Sequence, residues 1–139
     1  MKNKKVNLII IIIWLIVIFI MSSFNASISS KQSNFIVNII SKILNINNIN
    51  LLSIIIRKLA HFTEYLILGI IVANFIKNIH KKTYYAIIFC ILYAISDEIH
   101  QIFISGRAFQ IKDILIDSLG ILCGTYLIHK ISIKFDNKK

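Results

Sequence analysis

Ionisable and amide side chains gather in three segments of this 139-residue chain, each beside a run of apolar residues. A charged group at the centre of a membrane span costs about 2.5–3.5 kcal/mol on insertion scales, so such groups persist where they are paired or used. Cationic groups could clamp a phosphate or carboxylate, and histidines beside acids could move protons. The residues concerned are Arg57, Lys58, His61, Glu64, Asp97, Glu98, His100, Gln101, Arg107, Lys112, Asp113 and Asp117.

The spacing of these residues predicts that they share helix faces. Arg57 and His61 are four residues apart and Glu64 lies three residues further on, so one helix would present all three on the same side. Two further stripes with these offsets are Asp97, His100 and Gln101, and Asp113, Asp117, Gly120 and Gly124. The glycines of the last stripe would let a neighbouring helix approach closely.

The composition is typical of an integral membrane protein. Hydrophobic residues make up 57% of the chain and charged residues 16%, compared with roughly half and a quarter in soluble domains. Apolar runs reach the length needed to span a bilayer, so we expect an all-α membrane protein with a single domain over residues 1–139. The net charge of +10 arises mainly from lysines in loops and tails, which set orientation and contact anionic lipids, and we expect no nucleic-acid binding.

Four apolar stretches have the length of transmembrane helices. They predict spans at about residues 6–22, 57–76, 83–103 and 111–131. With four spans, ten of the 16 lysines and arginines fall on the side of the two termini, which predicts cytoplasmic N- and C-termini. The three polar segments would then lie together on the extracytoplasmic side.

The segment between the first two predicted spans has two parts. Residues 22–34 are rich in serine and asparagine and predict a loop. Apolar residues then recur every three or four positions over about 34–45, which predicts an amphipathic helix. This helix would lie flat at the outer membrane surface or pack on the bundle as a short re-entrant piece. Shorter connections are predicted at 77–82 and 104–110.

Several polar motifs together resemble the VanZ-like family of small bacterial multi-span membrane proteins. The motifs are RKxAHFxEY at 57–65, SDExHQ at 96–101, GR at 106–107 and DxxxDxxG at 113–120, and the resemblance extends over roughly residues 6–131. It implies a bacterial cytoplasmic membrane protein linked to lowered susceptibility to teicoplanin-type glycopeptide antibiotics. It marks these positions as the family's signature without assigning their chemistry.

The first functional hypothesis is an outward-facing pocket for an anionic or polar component of the cell envelope. Arg57, Lys58 and Arg107 would hold a phosphate or carboxylate, the arginines in bidentate geometry. Candidate partners are membrane lipids and an anionic cell-wall precursor or envelope glycolipid. The predicted ligand-binding residues are Arg57, Lys58, His61, Glu64, Asp97, Glu98, His100, Gln101, Arg107, Asp113 and Asp117.

The second hypothesis is an enzyme that modifies such an envelope component. His61 or His100 would act as general base, oriented by Asp97 or Glu64, while Arg107 stabilises developing negative charge. The catalytic candidates are His61, Glu64, Asp97, Glu98 and His100. We expect no cofactor and no bound metal; a divalent cation, if present, would use oxygen-rich ligands from Glu64, Asp97, His100, Asp113 and Asp117.

The third hypothesis is a purely structural or partner-binding membrane protein. Ion pairs among the polar segments would then hold three helices in register without any ligand. A second copy of the chain, in a homo-oligomer, is a further candidate partner.

Overall fold

The computed structural model of the chain describes residues 4–45, 47–80 and 83–136. These residues form helices and no strand, so the predicted all-α class is confirmed for them. The helices are α1 (Lys4–Ser22), α2 (Ala26–Leu44), α3 (Ile49–His80), α4 (Tyr84–Gln101) and α5 (Ile111–Asp136).

Three stretches of helix are long and apolar enough to cross a membrane. They are Lys4–Ser22, Ile49–Ile76 and Ile111–Ile131. Their exposed surfaces carry large aliphatic side chains, as expected of helices that face lipid. Helix α4 occupies the predicted third span but is not among the three, because its last two turns carry Asp97, Glu98, His100 and Gln101.

Helix α1 runs alongside α4 in the same direction. The Tyr93 hydroxyl donates a hydrogen bond to the Leu15 carbonyl at 2.7 Å. About two helical turns further along both segments, Ser23 Oγ lies 3.1 Å from His100 Nε2. Because both positions advance together along the two helices, α1 and α4 are parallel.

Helix α1 runs antiparallel to α3. The Trp14 indole N–H donates to the Glu64 carbonyl at 3.0 Å, whereas Ser22, later in α1, shares a cavity with Arg57, earlier in α3. The core between these helices and α4 is made of small and aliphatic side chains that include Ile11, Ile18, Leu68 and Ala94.

Helices α3 and α5 are parallel and approach closely through glycine. A Cβ atom added at Gly69 would lie 2.8 Å from the Ile121 carbonyl oxygen, and Cβ atoms at Gly120 and Gly124 would meet α3 carbonyl oxygens at still closer range. The predicted glycine stripe of α5 is therefore confirmed as a surface of close helix contact. This contact fixes the register between the polar residues at the start of α5 and those of α3.

Helix α2 corrects the predicted loop over residues 22–34, because the helix already begins at Ala26. Asn25 caps its N-terminus by accepting the Ile28 N–H at 3.0 Å. Serines that favour turns in isolation are accommodated by donating back to carbonyls one turn earlier, as Ser30 does to Ala26 at 2.7 Å. The amphipathic helix predicted at about 34–45 forms the C-terminal part of α2, which ends at Asn45 in the left-handed conformation with φ 51°.

The two ends of α3 differ from the sequence expectation. Helix α3 starts at Ile49, before the predicted span at 57, and continues to His80, through the residues predicted to open a basic loop. The rest of that loop, residues 81–82, lies outside the described residues. The start of α2 is held against the α4–α5 connection, where the Ala26 N–H donates to the Ser105 carbonyl at 3.3 Å.

Candidate functional site

The three polar segments meet at one end of the bundle, and the predicted order of spans also placed them at one level. Charged residues of α3, Arg57 and Glu64, and of the end of α4, Asp97 and Glu98, lie near Arg107 in the α4–α5 connection. Burial, and then the neighbouring charge of Arg57, lower the pKa of Arg107 from its ordinary value, while Asp97, Glu98 and Glu64 partly offset this. The guanidinium remains charged at neutral pH.

Part of this cluster is paired. Lys58 Nζ donates to Asp113 Oδ1 at 2.8 Å and so ties α3 to α5. Glu98 is fully buried, and its Oε2 accepts the backbone N–H of Gln110 at 2.9 Å, which ties α4 to the connection before α5. We call Lys58, Asp113, Glu98 and Gln110 the paired group. One of its two contacts is an ion pair, which joins the helices α3 and α5, whereas the structural hypothesis predicted ion pairs among three helices.

Two further polar residues of α4 are directed at neighbours within the fold. His100 lies against α1, with Nε2 3.1 Å from Ser23 Oγ and its ring stacked on Phe19 at 4.6 Å between centroids. Gln101 Nε2 lies 3.5 Å from Asp97 Oδ2, at the upper limit of a hydrogen bond, and both residues are buried. The acid predicted to orient His100 was Asp97 or Glu64, but the structure places Ser23 beside this imidazole instead.

His61 has an acidic neighbour that spacing along α3 did not predict. Its Nδ1 is 3.8 Å from Asp117 Oδ1, which is close enough for an ion pair but too long for a hydrogen bond. Both Asp117 oxygens and His61 Nδ1 are buried and have no hydrogen-bond partner among the described residues, and the same holds for the hydroxyl of fully buried Tyr65. Buried polar atoms are normally satisfied, so this arrangement calls for water or a ligand nearby.

A cavity of about 150 Å³ opens beside these residues, between α1, α2, α3 and the α4–α5 connection. Because Arg57 and Arg107 both line it, we call it the arginine cavity. Its polar lining consists of Ser22, Ser29, Gln32, Ser33, Arg57, His61, Glu64 and Arg107. Apolar side chains of Met21, Ile36, Ile56 and Ala60 complete it.

The two arginines of this cavity are not neutralised by direct pairing. In the part of the chain that the structure describes, neither Arg57 nor Arg107 forms an ion pair with an acid. Arg107 Nε is buried and makes no hydrogen bond to the residues that the structure describes. Glu64 is the one acidic side chain in the described lining, so the cavity presents two guanidinium groups against a single carboxylate.

A second cavity, of about 270 Å³, lies on the other side of Arg57 and His61. It is lined by the ion pair Lys58–Asp113 and by Gln110 from the α4–α5 connection. Arg57 and His61 therefore form a shared wall between a cavity with unpaired cations and one whose lysine is already paired.

The residues proposed as metal ligands are not assembled into one site. Among residues 4–45, 47–80 and 83–136, no group of three or more His, Cys, Asp or Glu side chains is arranged to hold a metal ion. Asp113 is engaged with Lys58, and His100 lies beside Ser23.

Three serines and one glutamine that line the cavity were not among the site residues predicted from the sequence. Ser22, Ser29, Gln32 and Ser33 fall in the segment predicted as a loop. A signal was present, because Ser29 and Ser33 are four residues apart and Ile36 lies three further on, which is helical spacing. This spacing was not recognised, because few apolar residues repeat it in the N-terminal part of α2.

Comparison with known proteins gives one finding. A family model described as VanZ/LLP1 matches residues 7–133, nearly the whole chain. No curated protein and no solved structure matches it.

Proposed function

The chain belongs to the VanZ/LLP1 family, and we propose from this premise that its arginine cavity binds the anionic headgroup of a cell-envelope component. The observation that carries the proposal is that Arg57 and Arg107 line one cavity and neither is paired with an acid among the described residues. An unpaired guanidinium in a partly buried wall is a donor array without an acceptor, and phosphate or carboxylate oxygens match its fork geometry.

Two features make the cavity a prepared site rather than a collapsed one. The paired group ties α3 to α5 and ties the α4–α5 connection to α4, so two of the elements that line the cavity, α3 and this connection, are held without any ligand. The nearby carboxylates of Asp97, Glu98 and Glu64 favour the charged state of Arg107 without contacting it directly. Donors held in place before binding lose less entropy when the ligand arrives.

The proposal includes four membrane spans, with the cavity facing outward from the bacterial cytoplasmic membrane. The direction of α4 supports four spans, since α4 runs beside α1 and parallel to it, at the depth of helices that are themselves long enough to cross. The distribution of lysine and arginine supports cytoplasmic termini.

Cysteine labelling tests this orientation in a chain whose Cys90 and Cys123 are first replaced by serine. In intact cells, a membrane-impermeant maleimide should label Ala108→Cys in the α4–α5 connection and spare Lys134→Cys near the end of α5. The reverse pattern would place the arginine cavity on the cytoplasmic side.

We extend the proposal to lowered susceptibility to teicoplanin-type glycopeptides, for which the support is the resemblance of the signature motifs. An envelope component that is bound and masked in the cavity would be less accessible to the antibiotic. Cells that express the wild-type chain should tolerate more teicoplanin than cells that express Arg107→Gln at the same abundance. Equal tolerance would show that the arginine cavity does not cause the lowered susceptibility.

Lipid binding by the purified full chain tests the main proposal. Native mass spectrometry should show phosphatidylglycerol bound in preference to phosphatidylcholine of the same chain length. Arg57→Gln and Arg107→Gln should each weaken this binding by about tenfold, because a hydrogen bond to a charged group contributes about 1.5–3 kcal/mol. The control is Lys112→Gln, which removes an exposed positive charge outside the cavity lining. Equal loss in the control would attribute binding to net charge and contradict the proposal.

A second candidate function is catalysis on the bound headgroup, favoured by the place of His61. This imidazole lines the arginine cavity and has buried Asp117 3.8 Å behind its Nδ1, an arrangement in which Nε2 can act as a general base. Mass spectrometry of envelope lipids from cells with and without the chain distinguishes the two functions. A new product that disappears with His61→Gln indicates catalysis, and an unchanged lipid inventory indicates binding alone.

A further inference from the structure

The arginine cavity has an uncharged polar wall opposite its cationic one. Helix α2 contributes Ser29, Gln32 and Ser33 to this wall, while Arg57 and Arg107 come from α3 and the α4–α5 connection. The α2 residues recur at three- and four-residue spacing and therefore face the cavity as one stripe.

The α2 stripe has hydrogen-bonding capacity to spare. The Gln32 amide and the Ser29 hydroxyl have no partner among the described residues, whereas Ser33 donates to the carbonyls of Ser29 and Ser30 at 3.1 Å and keeps its acceptor capacity. An amide offers both donors and acceptors, as a hydroxyl does. Such a wall suits hydroxyl groups of a ligand rather than a second charge.

The size of the cavity limits the headgroup. A cavity of about 150 Å³ is of the size that holds one benzene molecule, a group of about six heavy atoms. A glycerol unit alone is of this size, so a phosphodiester that carries it extends beyond the enclosed volume, and a disaccharide is larger still. Larger headgroups would have to remain outside the enclosed part.

The rim of the cavity is apolar on the side of α1 and α2. Met21 and Ile36 line it and are themselves 38% and 46% exposed, and Phe35 beside Ile36 is 70% exposed. An acyl chain leaving the cavity would meet this surface, which favours a lipid over a free phosphate ester.

We propose that the headgroup bound in the arginine cavity is a phosphodiester carrying a small polyol, of the phosphatidylglycerol type. Arg57 and Arg107 hold the phosphate, and Gln32 and Ser29 hydrogen-bond the hydroxyls. This inference rests on the proposed function, since it names the ligand class of the same site.

The test compares three lipids of equal chain length with the purified full chain: phosphatidylglycerol, phosphatidylethanol and phosphatidylcholine. Phosphatidylethanol has the same phosphodiester charge as phosphatidylglycerol but no hydroxyl. The wild-type chain should bind phosphatidylglycerol about tenfold more tightly than phosphatidylethanol, the effect of one or two neutral hydrogen bonds. Free glycerol phosphate should bind at least tenfold more weakly than phosphatidylglycerol.

The matched variants are Gln32→Leu and Asn34→Leu, two exposed amides of α2 of which only the first lines the cavity. Gln32→Leu should reduce the preference for phosphatidylglycerol to about threefold or less and leave phosphatidylethanol affinity unchanged, and Asn34→Leu should alter neither.

The contradicting outcomes are distinct. Equal wild-type affinity for phosphatidylglycerol and phosphatidylethanol, both above phosphatidylcholine, overturns polyol recognition and leaves anion binding intact. Equal affinity for all three lipids overturns the proposed function itself. Glycerol phosphate binding as tightly as phosphatidylglycerol overturns the lipid assignment, and a Gln32→Leu chain that keeps its full preference overturns the role of α2.

Discussion

The paired group and the arginine cavity lie within one polar cluster, but the fold pairs the charges of the first and leaves the arginines of the second unpaired. Lys58 meets Asp113 at 2.8 Å, and Glu98 meets a backbone N–H at 2.9 Å. Arg57 and Arg107, by contrast, point at a cavity and meet no acid at pairing distance in the part of the chain the structure describes. Both regions draw on α3 and the α4–α5 connection, and they differ in whether the fold supplies the counter-charge.

The difference separates two roles that residue type alone does not distinguish. A buried or half-buried ion pair between helices fixes register, and its loss is felt in stability. A guanidinium whose counter-charge is missing is available to an anion from outside, and its loss should be felt in binding. A variant of the paired group that weakened binding, or a variant of a cavity arginine that lowered stability, would therefore contradict the comparison.

The largest expected effect is on both regions at once. Gly124→Leu should destabilise the fold by about 3 kcal/mol or more and abolish lipid binding, because even a Cβ atom at this position meets the Leu66 carbonyl of α3. Thermal unfolding in detergent and lipid binding should be lost together. Cys123→Leu, a similar enlargement at an exposed neighbour, should change stability by less than about 0.5 kcal/mol. Retained binding in Gly124→Leu would show that the cavity does not depend on the α3–α5 contact.

A smaller effect is expected at Glu98, a fully buried member of the paired group. Glu98→Ala should lower the free energy of unfolding by about 2 kcal/mol, since it removes the acceptor of the Gln110 N–H and leaves a void. Glu98→Gln keeps an acceptor oxygen and should cost less than half as much. If Glu98→Ala instead lowered lipid affinity at unchanged stability, Glu98 would belong with the cavity residues.

The smallest effect is expected at the pair Lys58–Asp113, whose side chains are 37% and 12% exposed. A double-mutant cycle with Lys58→Gln and Asp113→Asn should give a coupling free energy of about 1 kcal/mol, because solvent screens the partly exposed lysine. A coupling near zero would remove this contact from the features that hold α3 and α5 in register.

Much of the fold and the position of the site could be predicted from the sequence. Helical spacing placed Arg57, His61 and Glu64 on one face of α3, and the structure shows all three lining the same cavity. The glycine face of α5 was also predicted, because small residues at four-residue spacing signal close helix packing. Both predictions concern single helices, where the period of the helix determines which residues lie together.

The failures concern relations between helices. Spacing along α3 or α4 could not reveal that His61 would face Asp117 of α5, or that His100 would lie beside Ser23 of α1. The rotation and register of packed helices decide such contacts. The N-terminal half of α2 was missed for another reason: serine favours turns by propensity, and tertiary contact with the α4–α5 connection outweighs that preference.

The most direct test of the central claim measures lipid affinity and unfolding stability in parallel for two variants, Arg107→Gln and Lys58→Gln. Both remove one positive charge at the same end of the bundle, so net charge is matched. We predict that Arg107→Gln loses about tenfold in phosphatidylglycerol affinity at nearly unchanged stability. Lys58→Gln should lose about 1 kcal/mol of stability at nearly unchanged affinity. Equal loss of affinity in both variants, or loss of stability without loss of affinity in Arg107→Gln, would contradict the division of the cluster into a paired group and an anion-binding cavity.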